Sequence, residues 1–135
     1  MILQVDKSLS FKTALVFGCQ GQDGSLICKS LLEKDYKVIG ISRQAFEKSK
    51  NLIRLGIQEY IRIEIGDFKN FKFVEKLIEK YNPDEIYNLA AQSSVGKSFA
   101  FPISTMESLI NSTINILEVS RSMKYSGRIF FAGSS

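Results

Sequence analysis

Two kinds of hydrophobic pattern alternate along the chain. Short apolar runs predict β-strands at 12–17, 37–42, 59–67, 85–91 and 128–135. Longer segments, in which apolar residues recur every three or four positions, predict helices at 22–35, 70–81 and 102–127, the last of them ended by Gly127. The polar segment 43–56 is interpreted as a loop that runs into a helix. Because strand and helix alternate throughout, we expect parallel strands joined by crossover helices in a doubly wound α/β sheet.

Composition indicates one globular unit. The chain has 135 residues, of which 44% are hydrophobic and 24% are charged, as in ordinary globular domains. Residues 1–11 are interpreted as a flexible N-terminal extension and residues 12–135 as one domain, since no repeat or low-complexity linker divides them. The opening residues are too weakly apolar for a secretory signal, and no apolar run approaches the ~20 residues of a membrane span. We therefore expect a cytoplasmic protein with no membrane partner.

Charge and cysteine content narrow the classes of ligand. The 18 basic and 14 acidic residues give a net charge of +4. This mild excess suits an anionic ligand, but lysines scattered over solvated helix faces explain it more simply. The basic residues form no block, so we expect no nucleic-acid partner. With two cysteines and no histidine, a His/Cys metal site is disfavoured.

The stretch FGCQGQDGS, residues 17–25, carries the main candidate chemistry. Three glycines at three-residue intervals, Gly18, Gly21 and Gly24, follow a predicted strand and open a predicted helix. In a dinucleotide-binding turn the first glycine permits the tight turn, the second admits the pyrophosphate, and the third lets helix and strand pack closely. Three glycines can also form a bare turn, but the strand and helix on either side favour nucleotide binding. The spacing is typical of short-chain dehydrogenases/reductases.

The residues after the second strand bear on which dinucleotide binds. In NAD-binding domains an acidic residue about 20 positions beyond the glycines binds the ribose 2′-hydroxyl. No Asp or Glu lies between Val38 and Gln44, whereas Arg43 stands 19 residues beyond Gly24. Because a guanidinium can bind a 2′-phosphate bidentately, the sequence favours NADP over NAD. The alternative is a solvated arginine at a strand end.

Two further loops follow predicted strands, at the edge where open α/β sheets bind ligands. Asp67 could accept a hydrogen bond from an adenine amino group, with Phe68 against the ring, although a simple strand-ending turn would explain the same residues. In LAAQSS, residues 89–94, small side chains would let the backbone lie close to the nicotinamide-side ribose. A tight contact between helix and sheet would explain this loop equally well.

Three segments, GCQGQDGS, PDEIYNLAAQSSVGKSF and FFAGSS, together resemble the N-terminal half of GDP-mannose 4,6-dehydratases. This family belongs to the extended short-chain dehydrogenases/reductases that modify nucleotide sugars, and the resemblance covers residues 12–135. It implies a Rossmann domain, of which this chain would be the five-stranded N-terminal portion. It also implies bound NADP and the conversion of GDP-mannose to GDP-4-keto-6-deoxymannose. That reaction oxidises C4, eliminates water across C5 and C6, and returns the hydride to C6.

The resemblance also assigns roles by position. It places the pyrophosphate on the glycine turn, the 2′-phosphate at Arg43, the adenine and inner ribose on the loops after strands three and four, and a hydroxyl that hydrogen-bonds the sugar 4-oxygen at Ser134. The expected cofactor-binding residues are Gly18, Cys19, Gln20, Gly21, Gln22, Asp23, Gly24, Arg43, Asp67, Phe68, Leu89, Ala90, Ala91, Gln92 and Ser93. The second arginine that often follows strand two is Gln44 here, which weakens the expected preference for NADP.

Family members carry further catalytic residues beyond the position of Ser135. These are a Glu just after the two serines, then a Tyr-x-x-x-Lys pair whose tyrosine acts as general acid/base, and a C-terminal sugar-binding region. The sequence contains none of them, so we expect a fragment of a longer enzyme that is inactive by itself.

Apolar residues cover two adjacent faces of the long helix. Ile110 and Leu117 belong to one stripe, and Ile116 and Val119 extend the apolar character to a neighbouring face. One face would pack on the sheet, and the resemblance implies that the other pairs subunits into a homo-oligomer through the 102–125 helix. Core burial widened by a neighbouring helix is the alternative.

Two other functions are compatible with these residues. The chain could belong to a related nucleotide-sugar epimerase or dehydratase with a different sugar, because the sugar contacts lie mostly in the C-terminal half of such enzymes. It could also be a non-catalytic dinucleotide-binding module.

Overall fold

Within the described residues, 11–43, 50–89 and 102–131, the computed structural model contains five parallel strands in one sheet. The strands are β1 (Thr13–Phe17), β2 (Lys37–Ser42), β3 (Arg62–Ile65), β4 (Glu85–Asn88) and β5 (Arg128–Phe131). Their order is β3-β2-β1-β4-β5, so the chain turns back across the sheet between β3 and β4. This order confirms the doubly wound α/β sheet that the alternation of elements predicts.

Helices fill the connections between the strands. They are α1 (Gln22–Glu33), α2 (Lys50–Arg54), α3 (Phe71–Tyr81) and α4 (Pro102–Ser122), with a 3₁₀ turn at Gln58–Tyr60. The side chains of α4 are described from Ile110 onward. Asn70 is the N-cap of α3. Its side chain accepts a hydrogen bond from the Phe73 N–H at 3.2 Å, which satisfies one of the helix's free donors.

β1 lies at the centre of two hydrophobic cores, because a central parallel strand is covered by helices on both faces. Leu15 and Phe17 pack on the side of α3 and α4, whereas Ala14 and Val16 pack on the side of α1 and α2. All four side chains are fully buried, and each large one stabilises the fold by about 1.5–3 kcal/mol. The continuous run of apolar residues in this segment is therefore explained by burial on both faces.

The structure distinguishes the two apolar faces of α4. Ile116 and Val119 are fully buried in the core with Leu15 and Phe17. Ile110, Ile114 and Leu117 are 51%, 50% and 45% exposed. The face that packs on the sheet is thus the one containing Ile116 and Val119.

The third strand is shorter than predicted. The sequence predicts a strand over 59–67, but β3 begins only at Arg62 because the preceding residues form a 3₁₀ turn, in which the Tyr60 N–H donates to the Ile57 carbonyl at 2.9 Å. Tyr60 is 72% exposed and Ile65 is 51% exposed. The apparent alternation of the segment therefore does not correspond to one buried face.

The prediction that Gly127 ends the long helix is wrong. The helix ends at Ser122, and Lys124 takes the left-handed conformation with φ 54°. The Tyr125 N–H then donates to the Ser120 carbonyl at 2.8 Å, the six-to-one bond of a Schellman ending. Gly127 is instead required by crowding, since a Cβ at this position would lie 2.6 Å from the Asp84 carbonyl oxygen, a backbone atom that cannot rotate away.

The two outer strands of the described sheet have different chemistry. On β3, Glu64 accepts a hydrogen bond from the Tyr81 hydroxyl, pairs with Lys80 Nζ at 3.1 Å, and lies 3.7 Å from Arg62 Nε. The Tyr81 hydrogen bond lowers the pKa of the Glu64 carboxyl, which keeps this edge charged. On β5, Phe130 and Phe131 are 41% and 40% exposed.

A close contact fixes the start of α1 against the end of β1. A Cβ at Gly24 would lie 2.1 Å from the Gly18 carbonyl oxygen and 2.9 Å from its carbon. Both are backbone atoms and cannot rotate away. The helix therefore approaches the strand to a distance that only glycine permits, as expected for the third glycine of the turn.

We expect Gly24→Ala to lower the free energy of unfolding by about 3 kcal/mol, at the upper end of the usual cost of overpacking, because α1 must move off the turn. Urea denaturation of both proteins measures the difference. The control is Gly56→Ala. At that residue φ is 70° but no atom lies within 4 Å of the added Cβ, so backbone strain alone should cost about 1 kcal/mol. A loss for Gly24→Ala no larger than that of the control would contradict the importance of this contact.

Candidate functional site

The carboxyl ends of the parallel strands meet at one edge of the sheet, where the sequence places the candidate binding loops. Backbone hydrogen bonds continue between neighbouring segments just beyond the strand ends. They join Gly18 N to Ile41 O at 3.2 Å, Gly66 N to Ser42 O at 2.9 Å, and Leu89 N to Phe17 O at 2.8 Å. The glycine turn and the segments that follow β2, β3 and β4 are therefore brought together at this edge.

The glycine turn presents backbone N–H groups at the edge. Gly18 has φ 84°, a conformation that favours glycine, and its carbonyl accepts a hydrogen bond from the Gly21 N–H at 3.2 Å. The first hydrogen bond of α1 runs from the Ser25 N–H to the Gly21 carbonyl at 2.9 Å. The N–H groups of Gln22–Gly24 precede it and have no acceptor within the helix. Together with the positive end of the helix dipole, they suit a phosphate anion.

The side chains of the turn divide between solvent and core. Gln22 and Asp23 are exposed, whereas Cys19 is fully buried, with Sγ 3.9 Å from the Ile41 carbonyl oxygen. Burial raises the pKa of the Cys19 thiol from 9.0 to about 12, so the thiol is protonated and unreactive at neutral pH. Cys19 can therefore contribute to ligand binding only through its backbone.

The buried thiol depends on a glycine that the sequence analysis did not single out. A Cβ at Gly40, in β2, would lie 2.6 Å from the Cys19 Sγ. A glycine in a strand often marks the close approach of another segment, and this general signal was available in the sequence. Only the fold shows that the approaching segment is the glycine turn.

Asn51 is a second residue that the sequence analysis missed. Its Nδ2 donates to the Gln20 carbonyl of the glycine turn at 2.9 Å, from a position 31 residues further along the chain. An asparagine in a polar segment has many possible partners, and a single sequence contains no signal that selects this one.

Arg43 lies beside the loop that follows β3. Its guanidinium carbon is 5.9 Å from the centre of the Phe68 ring, within the range of a cation–π contact. Phe68 is only 4% exposed and meets the Phe17 ring edge-on, with 5.2 Å between the ring centres. The Phe68 ring is therefore mainly a core side chain that supports Arg43, and its contact with an adenine ring stays a prediction.

The peptide unit between Phe68 and Lys69 in this loop is held on both sides. The Asp67 carboxylate accepts a hydrogen bond from the Lys69 N–H at 2.9 Å. The Phe68 carbonyl accepts one from Nδ2 of Asn115, on α4, at 3.0 Å. Asp67 is exposed, so its carboxylate is accessible to solvent, and its contact with an adenine stays a prediction.

Several predicted site residues lie outside the described residues. These are Ala90, Ala91, Gln92 and Ser93 of the loop after β4, and Ser134. Leu89 is described and is buried, with 7% of its surface exposed. The predicted roles of all five undescribed residues stay predictions.

A polar cavity of about 330 Å³ lies at the opposite, amino-terminal edge of the sheet. Lys12, Glu85 and Arg128 are among its lining residues. The Tyr125 hydroxyl is buried there without a hydrogen-bond partner in the described part of the chain, and burial raises the pKa of Tyr125 to about 12. Because this cavity is separated from the glycine turn by the length of the strands, it is not part of the candidate site.

Among the described residues, no group of His, Cys, Asp and Glu is arranged to hold a metal ion. No helix in this part of the chain has the length and apolarity to cross a membrane.

Comparisons with known sequences identify one family. The chain is 34% identical over 134 residues to the GDP-mannose 4,6-dehydratase of Yersinia enterocolitica, which covers 92% of this chain and 36% of that protein. It is 35% identical over 133 residues to the GDP-mannose 4,6 dehydratase of Drosophila melanogaster, covering 92% and 34%. The chain thus spans about a third of the length of the curated relatives it matches.

Solved structures agree on the architecture. The UDP-glucose 4-epimerase of Bifidobacterium longum, solved in complex with NAD⁺ and UDP, superposes with a TM-score of 0.76 at 26% identity, over 91% of this chain and 37% of that one. The UDP-glucose 4-epimerase of Thermotoga maritima, solved with UDP-glucose, gives a TM-score of 0.72 at 26% identity, over 88% and 37%. The fold is therefore Rossmann-like and is shared with part of these nucleotide-sugar epimerases.

The sequence profile of the family described as GDP-mannose 4,6 dehydratase matches residues 15–135, a range that begins in β1 and includes the whole glycine turn. The resemblance seen in the sequence is confirmed, and this chain belongs to the GDP-mannose 4,6-dehydratase family.

Proposed function

We propose that these residues form the dinucleotide-binding part of a GDP-mannose 4,6-dehydratase. The observation that carries the proposal is the glycine turn, in which the left-handed Gly18 and the close contact at Gly24 direct the first-turn N–H groups of α1 to the carboxyl edge of the sheet. The Bifidobacterium longum relative in complex with NAD⁺ supports a nicotinamide dinucleotide as the ligand.

The residues present fit such a cofactor. The N–H groups of Gln22–Gly24 would bind the diphosphate, and Gly21, the second glycine of the turn, would let it approach the backbone closely. Arg43 is an exposed cation beside a buried aromatic ring and would bind the 2′-phosphate of NADP. Asp67 would accept from the adenine amino group.

In this proposal the cofactor supplies a hydride acceptor, and the chain's own residues bind and orient it. Cys19 contributes by its backbone, because its protonated thiol is held in the core. The backbone of 89–93 would lie along the inner ribose, and Ser134 would hydrogen-bond the 4-oxygen of the sugar. NADP is proposed ahead of NAD because Arg43 directly follows β2 and no Asp or Glu lies between Val38 and Gln44.

The whole protein is proposed to convert GDP-mannose to GDP-4-keto-6-deoxymannose. The curated relatives named as GDP-mannose 4,6-dehydratases favour this sugar, at 34% and 35% identity, over the substrates of the epimerases that resemble the chain at 26% identity. We also propose a cytoplasmic enzyme of nucleotide-sugar metabolism that belongs to GDP-fucose biosynthesis.

Arg43→Glu tests the choice of cofactor. If Arg43 binds the 2′-phosphate, the change should weaken NADP binding at least tenfold, about 1.4 kcal/mol, and leave NAD binding nearly unchanged. Calorimetric titration of the full chain with each dinucleotide measures both affinities. Arg54→Glu is the matched control, because Arg54 is an exposed arginine of α2 and its replacement changes the net charge equally. Equal losses for NADP and NAD would show that Arg43 does not discriminate between them.

The activity is tested on a full-length protein of the family that contains this segment. Purified protein supplied with GDP-mannose and NADP should form the 4-keto-6-deoxy product, detected by mass spectrometry as the loss of one water. Turnover of another nucleotide sugar without turnover of GDP-mannose would contradict the proposed substrate.

We propose further that α4 pairs subunits into a homo-oligomer. Ile110, Ile114 and Leu117 follow one another at helical spacing, and each is about half-exposed, which is the pattern of a helix face that packs against a partner. Ile114→Glu should therefore shift sedimentation toward the monomer. Ile53→Glu, at an isoleucine of α2 that is 54% exposed, should not. A protein that sediments as a monomer without any substitution would contradict the proposal.

A further inference from the structure

The side chain of Asn51, which lies outside the glycine turn, hydrogen-bonds to the backbone of the turn. Nδ2 of Asn51 donates to the Gln20 carbonyl at 2.9 Å, and no backbone bond of the described residues uses that carbonyl. We propose that Asn51 is a positioning residue that sets the orientation of the diphosphate-binding turn. This inference rests on the proposed dinucleotide binding and adds a residue to it.

The hydrogen bond acts on a single peptide plane. The Gln20 carbonyl and the Gly21 N–H belong to the same planar unit. The carbonyl is held by Asn51, and the N–H donates to the Gly18 carbonyl at 3.2 Å. With both ends held, the plane cannot rotate, and the carbonyl oxygen is directed toward α2. A carbonyl that turned toward the site would place a partial negative charge beside the phosphates.

The same bond bears on the first turn of α1. In a longer helix the Gln20 carbonyl would accept from the Gly24 N–H, four residues on. In the structure the first such bond of α1 is made by Ser25 to Gly21, and the Gln20 carbonyl accepts from Asn51 instead. Asn51 thus helps to keep the Gly24 N–H among the donors available to a ligand.

Asn51 is itself fixed by packing. The next residue, Leu52, is fully buried in the core on the α1 side. Backbone bonds close α2 around it, from the Leu55 N–H to the Asn51 carbonyl at 3.1 Å and from the Ile57 N–H to the Leu52 carbonyl at 3.1 Å. The donor is therefore presented from a rigid position.

Two substitutions remove the donor in different ways. Asn51→Leu keeps the approximate size without a polar group. Asn51→Asp keeps the shape, cannot donate at neutral pH, and favours the first turn of α2 through the helix dipole. The matched control is Asp84→Ala, which also removes a side-chain bond to backbone, from the Thr13 N–H at 2.7 Å, but at the amino-terminal edge of the sheet.

The full chain and its variants are titrated with NADP, NAD and adenosine 2′-monophosphate, and their thermal unfolding is recorded. The loss of one hydrogen bond in Asn51→Leu should weaken NADP and NAD alike by about fivefold to tenfold. Adenosine 2′-monophosphate lacks the diphosphate, and ligand-observed NMR should show its affinity unchanged. Asn51→Asp should weaken both dinucleotides at least as much, and Asp84→Ala should lower the unfolding temperature without changing any affinity.

The outcomes separate the two proposals. If the unsubstituted chain binds neither NADP nor NAD, the proposed function fails and this inference fails with it. If it binds them and Asn51→Leu binds them within twofold of the same affinity, the positioning role alone is refuted. An equal loss for adenosine 2′-monophosphate also refutes that role, because it would show a general disturbance of the site.

Discussion

The contact between Gly24 and the Gly18 carbonyl is the constraint on which the rest of the edge depends. Because no side chain separates them, α1 starts directly over the end of β1 and its dipole is directed to the carboxyl edge. The short path between strand and helix also places the Cys19 side chain in the core. A bulkier residue at Gly24 would alter the helix position, the packing of the thiol and the available N–H groups at the same time.

The parts of the fold that the sequence predicts well are those where burial dominates. The predicted strands at 12–17 and 37–42 agree with the observed Thr13–Phe17 and Lys37–Ser42, because both strands are covered on two faces and consist of continuous apolar residues. The bounds of the edge strand β3 are predicted less well, because its residues are partly exposed and their hydrophobic pattern does not mark one buried face. The end of α4 is set by the left-handed Lys124, which local sequence preference does not favour over a nearby glycine.

The candidate site is predicted where its chemistry depends on backbone and spacing. The glycine interval is sufficient to locate the turn, and strand order is sufficient to place Arg43 and Asp67 at the same edge. The direction of the Phe68 ring and the partner of Asn51 depend on how distant segments meet. These contacts arise from tertiary packing, and no pattern within one sequence encodes them separately.

The charged edge strand β3 limits how copies of this domain can associate through their backbones. An open strand can pair with another chain unless charged side chains oppose it, and the ion pairs around Glu64 place such charges along β3. Growth of a continuous ribbon requires every unit to be receptive on both sides, so the charges on β3 oppose the joining of this domain strand to strand into a fibre.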